Sequence, residues 1–225
     1  MIKLKEYMNS IFPELILKPS LYYQWDTRIH FELARGLYQF KGVSDELNKD
    51  YFNRVYDQTM ALFNEIFSYN DELFLVTNVY KHKGLVKRNK RKIKVYHHYI
   101  NNKNIRFQLK QETLPYMFDD DDAEEYYTAR FSLKCRKRDI RYPMLIKAIC
   151  NQDFPRLRPR FNNRGISNYP DVFFINITKN IIFYIYDDRG CEVIASDIEA
   201  IRPIYEKYND WVDEYCREDI ERIFK

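Results

Sequence analysis

The feature that most constrains this chain is a pair of unbroken apolar runs near its end, 172–177 (VFFINI) and 181–186 (IIFYIY), separated only by Thr178, Lys179 and Asn180. Runs of that length, rich in β-branched and aromatic residues, predict a hairpin whose strands are covered on both faces. Asp187, Asp188, Arg189 and Gly190 then turn the chain into CEVIA, so a three-stranded meander is expected at or near the centre of a sheet.

Elsewhere the apolar period switches between 3.6 and two. Leu4, Tyr7, Met8, Ile11 and Phe12 predict an amphipathic helix over 2–12, ended by Pro13. Phe52, Val55, Thr59, Phe63 and Ile66, reinforced by Leu62 and Phe67, predict a longer one preceded by Ser44. Segment 94–100 (KVYHHYI) reads as a short helix, with a strand as the alternative, and 144–150 (MLIKAIC) reads as a further helix. In YYQWDTRIHFEL, Trp25, Thr27, Ile29, Phe31 and Leu33 alternate with Gln24, Asp26, Arg28, His30 and Glu32, the pattern of a half-buried strand with a solvated polar face. ELFLVTNVY (72–80) is another strand. Ile105, Phe107 and Leu109 alternate with Arg106, Gln108 and Lys110, and Tyr127 to Cys135 with Thr128 to Arg136; these read as two strands, each apolar on one face and cationic on the other. FPRLRPRFNNRGISNYP, with three prolines and four arginines, reads as a long irregular connection. Ser196, with Glu199 three residues on, fits a capping box that opens a C-terminal helix interrupted by Pro203. Trp211, Tyr215, Ile220, Ile223 and Phe224 mark a last amphipathic stretch over the sheet. The expected fold is one α+β domain over 1–225: a mainly antiparallel sheet with a C-terminal three-stranded meander, packed by N-terminal, middle and C-terminal helices.

Several function classes drop out. The five glycines, at 36, 42, 84, 165 and 190, are too far apart for a dinucleotide fingerprint or a phosphate-binding loop. Cys135, Cys150, Cys191 and Cys216 include no close pair, and His30, His82, His97 and His98 do not follow zinc-site spacing. No metal and no cofactor are therefore expected, and the thiols read as free in a reducing compartment. The charged N-terminus carries no apolar core of signal-peptide length, and no stretch approaches the roughly 18 apolar residues of a membrane span, so a cytoplasmic protein without membrane attachment is expected.

Net charge is +4, yet 81–94 alone carries eight Lys or Arg and no acid, leaving 29 basic against 33 acidic residues elsewhere. Basicity is thus local. DDDDAEE (119–125), with six acids, is the opposite pole and reads as a solvated loop.

Two groups of residues are candidates for chemistry. Asp187, Asp188 and Arg189, with Gly190, place two carboxylates beside a guanidinium, which suits a metal, an anion or acid–base work with His30. The structural reading is favoured: Asp side chains accept turn N–H bonds, and Gly is expected to take a positive φ. A solvated His30 and a buried, inert Cys191 are likewise favoured over catalytic roles. The second group is cationic: Lys87, Arg88, Lys90, Arg91 and Lys92 of the basic run, with Arg106, Lys110, Arg130, Lys134 and Arg136 on the sheet. An anionic partner fits there, but nucleic acid is not favoured, because the aromatics of those strands lie on the apolar face and are not offered for base stacking.

The run YIYDDRGCEVIASDIEAIRPIYEKYNDW (184–211) resembles a family of uncharacterised bacterial proteins, common in Gram-positive species, with a C-terminal domain of unknown function marked by Tyr-Asp-Asp-Arg-Gly-Cys and a following helix. FPELILKPSLYYQW and LIKAICNQD resemble the same proteins, so the likeness extends over most of the chain, with 172–225 carrying the motif. It implies a family and no activity. The leading functional reading is a non-catalytic binding protein whose partner is another protein; immunity proteins that block a toxin fit the size by analogy. The alternatives are an enzyme or anion-binding protein built on Asp187, Asp188 and Arg189, and a nucleic-acid binder using 81–94.

Overall fold

A computed structural model describes residues 2–84, 95–118, 121, 123–161 and 169–225. Its strands are Arg28–Glu32 (β1), Glu72–His82 (β2), Lys110–Pro115 (β3), Tyr126–Arg136 (β4), Asp171–Asn176 (β5), Ile181–Ile185 (β6) and Gly190–Ala195 (β7). They form one seven-stranded sheet in the order β1-β7-β6-β5-β2-β4-β3, every neighbouring pair antiparallel. The meander of β5, β6 and β7 occupies its middle, and every residue of β6 and β7 is buried. The fold class is α+β, as expected.

Strands apolar on both faces need two covers, and the helices supply them. These are Leu4–Ile11 (α1), Lys49–Ile66 (α2), Val95–Tyr99 (α3), Lys103–Arg106 (α4), Tyr142–Cys150 (α5), Arg202–Lys207 (α6) and Arg217–Phe224 (α7). On one face Leu75, Phe174, Phe183, Ile185 and Val193 share a core with the buried sides of α2, α5, α6 and α7. On the other, Phe74, Val76, Phe173, Ile175 and Ile182 meet Leu4, Tyr7, Met8 and Phe12 of the N-terminal segment. Phe63 ties helix to sheet: its ring stacks on Phe67 at 4.6 Å and on Tyr142 at 4.8 Å and meets Phe174 edge-on at 5.1 Å. Burying such a side chain is worth about 1.5–3 kcal/mol, and the whole predicted α2 stripe is buried.

Local details differ from the sequence reading for identifiable reasons. Residues 105–109 do not form a strand. Asn102 caps α4 by accepting from the Asn104 amide, and i to i−3 bonds from Phe107, Gln108 and Leu109 wind the chain onward, so β3 begins only at Lys110 and Phe107 is exposed. The cap of α2 is Asn48, not Ser44, whose hydroxyl donates to the Lys41 carbonyl in the preceding loop. At the C-terminal turn the capping acceptor is Asp197, taking the Glu199 amide at 3.0 Å; Ser196 plays no such part. A short 3-10 turn follows, and Pro203 sits in the first turn of α6, where a missing N–H is harmless.

Candidate functional site

The turn between β6 and β7 is closed by the Tyr186 amide donating to the Gly190 carbonyl at 3.3 Å. Inside it, Asp187 does what a turn aspartate does: Oδ1 accepts the Arg189 amide at 2.7 Å, and Oδ2 accepts the Arg189 guanidinium, Nε at 2.9 Å. That carboxylate raises the pKa of Arg189 above the usual guanidinium range. Asp188 instead points at α2 and the loop before it. Its Oδ2 accepts from Tyr51 Oη at 2.7 Å and from Gln39 Nε2 at 3.3 Å, and burial pushes its carboxyl up.

Gly190 does not take the positive φ expected of it; among the described residues the positive-φ glycines are Gly36 and Gly42. Crowding explains it. A β-carbon at 190 would lie 2.6 Å from the Phe31 carbonyl oxygen and would collide with the Tyr186 hydroxyl. The glycine lets β1 and the Tyr186 ring close on the turn.

His30 is not the solvated side chain the strand pattern predicts. Asp213 to Cys216 fold over β1, with the Asp213 amide donating to the His30 carbonyl at 2.9 Å. Nε2 lies 3.1 Å from Tyr186 Oη, while Nδ1 faces both Cys216 Sγ at 3.6 Å and Asp213 Oδ2 at 3.9 Å. Burial lowers the imidazole pKa against the opposing pull of Asp213 and Glu32. Thiol and carboxylate share one nitrogen, so this is not a relay in which an acid orients one ring nitrogen and the other serves a nucleophile. Burial raises the Cys216 pKa as well, and drives that of Cys191, which is sealed in the core, far up. Neither thiol has the lowered pKa of a nucleophile.

The cationic set is dispersed. Arg106 lies on α4 and donates to the His97 carbonyl. Arg130 turns inward, with Nε on Asn78 Oδ1 at 2.9 Å and Nη2 on the Leu17 carbonyl at 3.0 Å, while Lys134 pairs with Glu72 at 2.9 Å. The expected cationic sheet face is thus in part a set of internal contacts under the N-terminal segment. Lys87, Arg88, Lys90, Arg91 and Lys92 lie outside the described residues.

Two features were invisible in the sequence. Asp153, just after α5, brings a third carboxylate to within 4.8 Å of Asp187 and Asp188, the one such group among the described residues able to approach a cation. Its unused capacity is small, because Arg189 takes both Asp187 oxygens and Tyr51 and Gln39 take one of Asp188. The other feature is the loop between β1 and α2. Phe40 bridges Leu47, Lys41 and Glu46 join by backbone and side chain, and Gly42 supplies the left-handed residue at the tip. Gln39 fastens this loop to Asp188, and Arg156 Nη1 donates to the Asp45 carbonyl at 3.0 Å. Tyr38 is 77% exposed, Phe40 is also exposed and Val43 is fully so.

The chain belongs to a family described as a domain of unknown function (DUF3885), whose profile matches residues 4–216, from α1 to the segment that covers His30. Along the same length the chain is similar to the uncharacterized protein YnaE of Bacillus subtilis (strain 168): 53% identical over 211 residues, 93% of this chain and 96% of that one. No solved structure matches it significantly. Among the described residues no helix is long and apolar enough to cross a membrane.

Proposed function

We propose that the protein is a non-catalytic binding protein that presents the 38–43 loop to a partner protein. The observation that carries this reading is the pairing of Tyr38, Phe40 and Val43, apolar and exposed, with a loop fastened by Asp188 and by Arg156. Exposed aromatic and aliphatic groups on an ordered loop suit recognition, since little side-chain and backbone entropy is left to lose on binding. The motif residues fit the same reading. Asp187 is occupied by Arg189, Asp188 by the loop and α2, and Cys191 is sealed, so the turn acts as a fastening.

The test is affinity capture from the native cells with the whole chain and with Tyr38→Ser/Val43→Ser, whose unfolding midpoint is checked first. A protein recovered by the wild type and lost by the folded double variant supports the reading. Equal recovery by both overturns it.

A further inference from the structure

A cavity of about 340 Å³ opens at the end of the sheet where β5 begins and β6 ends, beside the turn but not part of it. Its lining includes Tyr169, Tyr184, Tyr186 and Ile149, with Asp171 and Asp153 as charged groups; among the described residues no Lys or Arg lines it. By the volume a water occupies in the liquid, the space would hold about ten waters, enough for a small organic molecule.

Asp171 is the unusual member. It is half-buried, and its two oxygens accept from the hydroxyls of Tyr80 and Tyr184, both neutral donors. Among the described residues no cation pairs with it, and burial pushes its carboxyl up to about 6. A carboxylate drawn away from water is ordinarily matched by a positive charge, and among the described residues none is paired with Asp171. Asp153, at the mouth, is also raised, by burial and by Asp187. At the rim, Arg160 donates to Tyr169 Oη at 3.0 Å and to the Gln152 carbonyl.

We propose that this cavity binds a small organic amine, its ammonium held by Asp171 and Asp153 against the tyrosine rings. Ammonium groups are bound by carboxylates and by the faces of aromatic rings, and a diamine can engage an inner and an outer carboxylate at once. A bare divalent ion prefers a close set of several oxygens, and the tyrosine-walled space is larger than it needs.

Titration calorimetry of the full chain with butane-1,4-diamine tests this, with magnesium chloride titrated separately and Glu218→Gln, a helix-surface change far from the cavity, as the control variant. Saturable binding of the diamine is expected, weakened about tenfold or more by Asp171→Asn and by Asp153→Asn and unchanged by Glu218→Gln. If Asp171→Asn does not fold, the exposed Asp153 decides alone. The proposal is overturned by no saturable diamine binding, by equal affinity in all variants, or by magnesium binding at the same carboxylates where the diamine does not.

Discussion

Tyr51 Oη donates to Asp188 Oδ2 at 2.7 Å, joining the first turn of α2 to the β6–β7 turn across 137 residues of chain. Both groups are buried, and Gln39 shares the acceptor. Tyr51→Phe keeps the ring and removes the donor, leaving a carboxylate short of one partner. A loss of about 1–3 kcal/mol is expected. Urea unfolding measures it, and an unchanged midpoint would mean that Asp188 does not depend on Tyr51.

Gly190→Ala is expected to destabilise through crowding and not through φ. The added methyl meets the Phe31 backbone and the Tyr186 hydroxyl, so β1 or the Tyr186 ring must move, at about 1–3 kcal/mol. Pairing it with Tyr186→Phe, which removes the hydroxyl the methyl strikes, is expected to recover part of the loss. No recovery would place the strain elsewhere.

How far the sequence reaches is clear from these residues. The meander was legible because VFFINI and IIFYIY leave no polar face, and α2 because its stripe spans five turns. Turn chemistry anticipates an Asp side chain accepting a turn amide, as Asp187 does from Arg189, because that bond is local, but not Asp188 turning instead to Tyr51 and Gln39. Gly190 was misread because its neighbour, Phe31, lies in a strand more than 150 positions earlier. His30 was misread for the same kind of reason: the strand pattern shows which face it takes, while its cover comes from Asp213 to Cys216. Asp153 and Gln39 carried no signal, each being an ordinary polar residue until the fold brings it to Asp188.

Stability is expected to fall as pH rises from about 4.3 to about 7 because of Glu192. It lies opposite His30 on β1 and Tyr184 on β6, accepts the Tyr22 amide at 3.3 Å, and is pushed up to about 7 by burial. An unfolded Glu titrates near about 4.3, so the folded chain holds more protons between those values; the contribution is full below the lower one and is lost as pH rises through the upper. His30, lowered by burial, acts in the opposite sense below about 6.5. Glu192→Gln keeps an acceptor for Tyr22 and is expected to flatten the decline, gaining on the order of 2 kcal/mol at pH 8. An identical pH profile would contradict the assignment.

The four cysteines are free and buried, so native protein is expected to react slowly with a thiol reagent. Cys216, the least enclosed, reacts first, and Cys150 and Cys191 only on unfolding. Mass mapping of early adducts checks the order, and rapid labelling of Cys191 would contradict the buried β7.

The central claim is that the loop fastened by Asp188 meets a protein partner, and a photo-crosslinking residue placed at Val43 in the native cells tests it most directly. Val43 projects fully into solvent at the loop tip, and Glu218 on α7 offers an equally exposed control away from it. The account predicts a discrete crosslinked product from position 43, absent from position 218 and lost when Asp188→Asn loosens the loop in an otherwise folded chain. No product from position 43, or the same products from both positions, would contradict it.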